Sequence, residues 1–204
     1  MGLLPWTGVD GWEEPLFRAL NAAGIHPVVD LVMVVFTTIG VAYLLPFVSI
    51  EVWRRGRHAL AFDVLALLAL TVVATEVLKG LAGRVRPCEA LAGVRLSPLY
   101  GCVEAGEPAF PSGHAARAVG LATLFSLGMS RRAGVTMAVV AACIATSRVY
   151  LGVHWPTDLL GGVALGVGMA VLLWTVQGRV KAYRDLRSRV VRFFERGTRE
   201  VPDA

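Results

Sequence analysis

The apolar residues of this chain are gathered into runs close to the length that spans a bilayer as a helix, about 20 residues, and that clustering decides the fold class before any other feature. Five such stretches cover residues 28–52, 59–79, 114–129, 133–150 and 156–177. Lipid offers a backbone no hydrogen bonds, so each run is read as a helix. Composition agrees, with 55% hydrophobic against 17% charged residues. The expected fold is all-α, a polytopic transmembrane bundle of five spans, with Pro46 kinking the first.

Basic residues report topology. Arg54, Arg55 and Arg57 lie in one turn, Arg131 and Arg132 in the next turn on the same side, and more follow residue 177. The positive-inside rule places all three segments in the cytoplasm. The amino terminus, the 87–111 loop and the turn at His154 then lie outside, and the expected location is the plasma membrane. The net charge of +5 does not read as a nucleic-acid surface, because the cations sit between and after the spans.

Three units follow: an amino-terminal segment over 1–27, a transmembrane domain over 28–177 and a basic tail over 178–204. Asp10, Glu13 and Glu14 stand where a signal peptide would carry cations, so a cleaved signal is not expected. Trp12, Leu16, Ala19, Leu20 and Ala23 repeat at helical spacing and suggest an outer interfacial helix; a sixth short span is the alternative. The segment 179–199 sets Val180, Tyr183, Leu186, Val190 and Phe194 on one face among arginines. Either it lies on the anionic inner leaflet or it is a solvated tail.

Charge in or beside a span is costly, by about 2.5–3.5 kcal/mol at a helix centre. Even so, Lys79, Arg84, Arg86, His114, Arg117, Arg148, His154 and Asp158 all fall at span ends on the proposed outer face. Snorkelling accounts for one such cation, but not for a set on the side where few are expected. Like charges gathered in a partly dry pocket call for an anion between them, and phosphate meets that demand. Pro111-Ser112-Gly113-His114 opens a helix whose free N–H groups suit an anion. Asp158, four residues after His154, can hold one ring nitrogen and leave the other as an oriented nucleophile.

These residues resemble a known family. Lys79-x6-Arg86-Pro87, Pro111-Ser112-Gly113-His114 and Ser147-Arg148-x5-His154-x3-Asp158 are similar to the three signature motifs of the type 2 phosphatidic acid phosphatase superfamily, itself related to the vanadium haloperoxidases. The resemblance implies that Lys79, Arg86 and Arg148 hold phosphoryl oxygens, with Ser112 and the Gly113 N–H adding hydrogen bonds. It implies His154 as nucleophile oriented by Asp158, and His114 as the acid and then the base. Members of this family work without a metal, so no metal and no cofactor are expected.

Cys88 and Cys102 flank an insert in the outer loop, where an oxidising exterior permits a disulfide; two free thiols are the alternative. Cys143 reads as a packing residue. Gly161, Gly162, Gly166 and Gly168 give the fifth span a small-residue face expected to pack within the bundle. Glu76 is expected to pair with Lys79 or Arg117; a protonated, interfacial glutamate is the alternative.

The expected activity is hydrolysis of a membrane lipid phosphate or diphosphate through a phosphohistidine. A polyprenyl diphosphate, undecaprenyl or dolichyl, is the leading substrate. Phosphatidylglycerophosphate, phosphatidic acid and a phosphotransferase reaction are the alternatives. A noncatalytic lipid-binding protein would be expected to have lost His114, His154 or Asp158, and all three are present.

Overall fold

The computed structural model describes residues 11–41 and 46–199. Residues 1–10, including Asp10, and 42–45, within the first expected span, lie outside the described residues. Among those described the chain is all helix with no strand: α1 (Glu13–Asn21), α2 (Pro27–Ile39), α3 (Pro46–Arg54), α4 (His58–Ala82), α5 (Pro87–Ala90), α6 (Gly113–Gly128), α7 (Arg131–Tyr150), α8 (Pro156–Arg179) and α9 (Lys181–Arg199).

Three stretches, His58–Ala90, Arg131–Tyr150 and Pro156–Arg179, are long and apolar enough to cross a membrane, and Pro27–Ile39 is a shorter apolar helix. The stretch expected as one kinked span over 28–52 is two helices here. α2 closes on Gly40, and Pro46 begins α3 rather than bending it, since a missing N–H costs nothing in a first turn.

α6 is the central helix and packs most extensively on α7 and α8. The main core joins Leu60, Val64, Leu67 and Leu68 of α4 with Leu121, Leu124 and Phe125 of α6 and Ala170 and Leu173 of α8. Close approach of α6 and α8 depends on glycine. A methyl group at Gly162 would lie 2.5 Å from the Ser112 carbonyl oxygen, and one at Gly166 would lie 2.9 Å from Gly120 N. Gly161 meets the Phe110 ring in the same way, whereas Gly168 faces open space. Outward, Val73, Val77 and Leu81 of α4, Val135 and Val139 of α7, and Leu160 and Leu172 of α8 are exposed. An apolar girdle of this kind suits lipid and not water.

The ends of the bundle differ in kind. Lys79, Arg86, Ser112, His114, Arg148, His154 and Asp158 fall at the ends of α4, α6, α7 and α8 that meet one another. At the other end Arg57 donates to the Gly128 carbonyl. There α9 folds back, its Tyr183 hydroxyl and Arg187 bonding Asp63 of α4 at 2.6 and 2.7 Å. Part of the basic tail is thus tied to the bundle by a buried aspartate.

α1 presents one face inward. Glu13, Phe17 and Asn21 are buried, while Trp12, Leu16 and Leu20 are exposed. The apolar stripe expected at an interface points outward, and a mixed stripe four residues apart binds the protein.

Candidate active site

Each side chain at the site is set by a helix end. α4 stops at Gly83, whose φ of 58° is left-handed, a conformation glycine adopts at little cost. The chain therefore turns back one helical turn after Lys79, and Arg84 and Arg86 enter the protein, where both are buried. Arg86 stitches the surrounding loops. Its guanidinium donates to the carbonyls of Glu107 at 2.8 Å, Val153 at 2.8 Å and Pro108 at 3.3 Å. Backbone bonds complete the frame: Ser112 N donates to Asp158 O at 3.0 Å, and Ala109 N to Arg84 O at 2.7 Å.

His154 lies in the turn before α8 and is buried. Its Nδ1 is 3.3 Å from Asp158 Oδ2, and its Nε2 is 3.3 Å from Arg86 Nη1. The same Asp158 oxygen accepts the Trp155 backbone N–H at 2.8 Å, so the carboxylate is fixed by the helix start as well as by the ring. Burial, followed by Arg148 and Arg86, pushes the His154 pKa well below the ordinary imidazole value, with Glu104 pulling the other way. A neutral ring that gives Nδ1–H to Asp158 leaves the Nε2 lone pair directed at the guanidinium cluster.

Arg148, at the last turn of α7, is wholly buried. It donates to Thr37 Oγ1 at 2.5 Å and to the Tyr100 hydroxyl at 2.8 Å. Glu104 lies between the two arginines. Its Oε2 is 2.7 Å from Arg86 Nη2, and its Oε1 pairs with Arg148 Nη2. Although burial raises the Glu104 pKa, Arg148 and Arg86 pull it down to about 2. One carboxylate thus offers two oxygens to two guanidinium groups, as two nonbridging phosphoryl oxygens can. The loop carrying Glu104 is joined to the α5 segment by a Cys88–Cys102 disulfide.

The first turn of α6 supplies the opposite wall. Ser112 Oγ and His114 Nε2 are buried with no hydrogen-bond partner among the described residues, and so are Arg148 Nε and Arg117 Nε. Buried polar atoms are rarely left unsatisfied; donors and acceptors left open in this part of the protein fit a polar ligand. Two glycines allow the crowding. A methyl at Gly113 would come within 2.8 Å of Arg117 Nη1, and one at Gly40 within 2.9 Å of the His114 ring. Lys79 pairs with Glu76 at 3.4 Å, one of the two partners expected for Glu76, and adds positive potential at His154. Among the described residues no three His, Cys, Asp or Glu side chains gather as metal ligands would.

Much of the expected set comes together: Arg86 touches His154 and His154 touches Asp158, Arg148 joins Arg86 through Glu104, Ser112 N bonds Asp158 O at the start of the helix that carries Gly113 and His114, and Lys79 sits at the margin. Arg84 differs from its expected place. Its guanidinium lies 2.7 Å from Asp158 Oδ1, the carboxylate oxygen not turned to His154, and 2.5 Å from Glu13 Oε2, apart from the Arg86–Glu104–Arg148 group. Sequence reasoning missed Glu13, Glu104, Thr37 and Tyr100. The Glu13, Phe17, Asn21 spacing held a signal for Glu13; Glu104, in an irregular loop, left none.

The PAP2 superfamily model matches residues 60–182. The chain is 29% identical over 179 residues to "Putative undecaprenyl-diphosphatase YbjG" of Escherichia coli (strain K12), covering 85% of this chain and 87% of that one. It is also 29% identical over 187 residues to "Phosphatidylglycerophosphatase B" of Bacillus subtilis (strain 168), covering 82% and 86%. Among solved structures, Aquifex aeolicus LpxE superposes with a TM-score of 0.66 at 24% identity, covering 84% of this chain and 99% of that one. With this match over most of its bundle and its long apolar helices, the chain is a membrane protein of the PAP2 superfamily.

Proposed function

We propose that this protein is a lipid phosphatase that forms a phosphohistidine at His154 Nε2. One observation carries the reading: an oxyanion, the Glu104 carboxylate, bridges Arg86 and Arg148 beside an imidazole whose other nitrogen faces Asp158. In the reaction the phosphoryl group takes the place of that carboxylate. Arg86, Arg148 and Lys79 neutralise its charge, and Ser112 Oγ and the Gly113 N–H complete the cradle. Nε2 attacks phosphorus in line, the N–P bond forms and the P–O bond to the leaving group breaks. His114 gives that oxygen a proton. A water, deprotonated by His114, then attacks phosphorus, the N–P bond breaks and phosphate leaves with Nε2 neutral again.

A polyprenyl diphosphate is the substrate best supported, because relatives named undecaprenyl-diphosphatase align over most of the chain. A second reading, phosphatidylglycerophosphate, is favoured by the similarly long match to phosphatidylglycerophosphatase B. The concentration of arginine at the far end of the bundle supports a site facing away from the cytoplasm.

The test is acid- and alkali-quenched labelling with a 32P-lipid. The expected adduct survives alkali, is lost in acid and is absent from His154→Asn, while His114→Asn slows both its formation and its hydrolysis. Labelled wild-type levels in His154→Asn would end the nucleophile assignment. Phosphate release from polyprenyl diphosphate, phosphatidylglycerophosphate and phosphatidic acid in the presence of a chelator ranks the substrates. Strict dependence on magnesium there would overturn a cation-only mechanism.

A further inference from the structure

The amino-terminal helix reaches the catalytic turn through charge. Glu13 in the first turn of α1 is buried, as are Arg84 and Asp158. Glu13 Oε2 meets Arg84 Nη2 at 2.5 Å, Arg84 Nη1 meets Asp158 Oδ1 at 2.7 Å, and Asp158 Oδ2 faces His154 Nδ1 at 3.3 Å. Glu13 also grips the start of α8, accepting from Thr157 N at 2.8 Å and from the Thr157 hydroxyl. The Phe17 ring lies 5.3 Å from that of Trp155, and the Arg84 guanidinium stands 5.3 Å from the same indole.

We propose that Glu13 is a positioning residue for the nucleophile, acting through Arg84 on Asp158, so that α1 is part of the machinery that sets His154. The inference rests on the assignment of His154 as nucleophile. Its physical basis is the sharing of one guanidinium between two carboxylates. A lone buried arginine beside Asp158 would draw the carboxylate's charge away from the ring and weaken its hold on the Nδ1 proton. Glu13 takes half of that demand and fixes the guanidinium plane, leaving Asp158 Oδ2 for His154 and the Trp155 N–H. A purely structural strap would not need a charge here. Fully buried ion pairs often contribute little net stability against apolar replacements, and the Phe17 face alone would seat α1.

Glu13→Gln keeps the shape and removes the charge. Expected is a roughly tenfold lower kcat with KM within a factor of about two, since the loss falls on the step that forms the N–P bond and not on phosphate binding. The single-turnover rate of 32P labelling at His154 falls by the same factor. Glu13→Asp, which keeps the charge one methylene short, loses less, and it carries the test where Glu13→Gln accumulates too little folded protein. Asn21→Ala is the control. Asn21 ties the far end of α1 to the Arg95 and Tyr150 carbonyls at 2.9 and 2.8 Å, so its loss lowers Tm but leaves kcat per folded enzyme unchanged.

An unaltered kcat in Glu13→Gln, or equal losses of kcat in Glu13→Gln and Asn21→Ala that follow Tm, would overturn the proposal. Absence of label at His154 in the wild-type enzyme would overturn the nucleophile assignment as well, which separates the two failures.

Discussion

Glu104 Oε2 lies 2.7 Å from Arg86 Nη2, and the second oxygen of the same carboxylate meets Arg148. The pocket thus holds its own anion, on a loop clasped by the Cys88–Cys102 disulfide. On the proposed mechanism substrate phosphate displaces it. Glu104→Gln removes the competing charge, so inorganic phosphate and orthovanadate are expected to inhibit at roughly tenfold lower concentration, equivalent to about 1.4 kcal/mol. Competitive inhibition constants measured for both enzymes check this; equal constants would mean the carboxylate does not compete.

Arg148 binds by shape as much as by charge. Its guanidinium serves Thr37, Tyr100 and Glu104 together. Lysine carries the charge without the planar fork. Arg148→Lys is therefore expected to lower kcat/KM by about a hundredfold while the protein folds, and Arg148→Ala by more. Steady-state kinetics on purified protein with matched melting curves separates this from a loss of stability.

His154 also gives a pH signature. Its folded pKa is pushed below the ordinary imidazole value by burial and by Arg148 and Arg86. As pH falls below about 6.5 the unfolded chain takes up a proton that the folded site refuses. The unfolded state then binds more protons, so stability drops with falling pH until the folded pKa is reached. Tm measured from pH 7.5 to 5.5 is expected to fall more steeply for wild type than for His154→Asn. Parallel slopes would show that the ring titrates normally.

Packing between α6 and α8 supplies a fourth test. A side chain at Gly166 meets backbone atoms of Ala116 and Gly120, which cannot swing aside as a flexible side chain can. Gly166→Val is expected to cost about 1–3 kcal/mol or more by overpacking. It should also reduce activity, because these helices carry His114 and Asp158. Gly168→Ala faces open space and is expected to be neutral or to raise Tm slightly through helix propensity. Thermal unfolding in detergent distinguishes the two.

Local rules were enough for much of this protein. Apolar run length marked the helices, with α4, α6, α7 and α8 within a few residues of the expected spans, because a helix in lipid is dictated by its own composition. The motif spacing likewise gathered Arg86, Arg148, His154 and Asp158, since each falls at a helix end and those ends meet.

What only the tertiary structure decided concerns partners far apart in the chain. Glu13 reaches Asp158 through Arg84, Thr37 meets Arg148, and Glu104 enters the cradle from an irregular loop. Periodicity describes which face of a helix is apolar; it does not say which buried charge that face will meet. Such pairings follow from desolvation, which makes an unmatched buried charge so costly that the fold must bring its partner from wherever in the chain it lies.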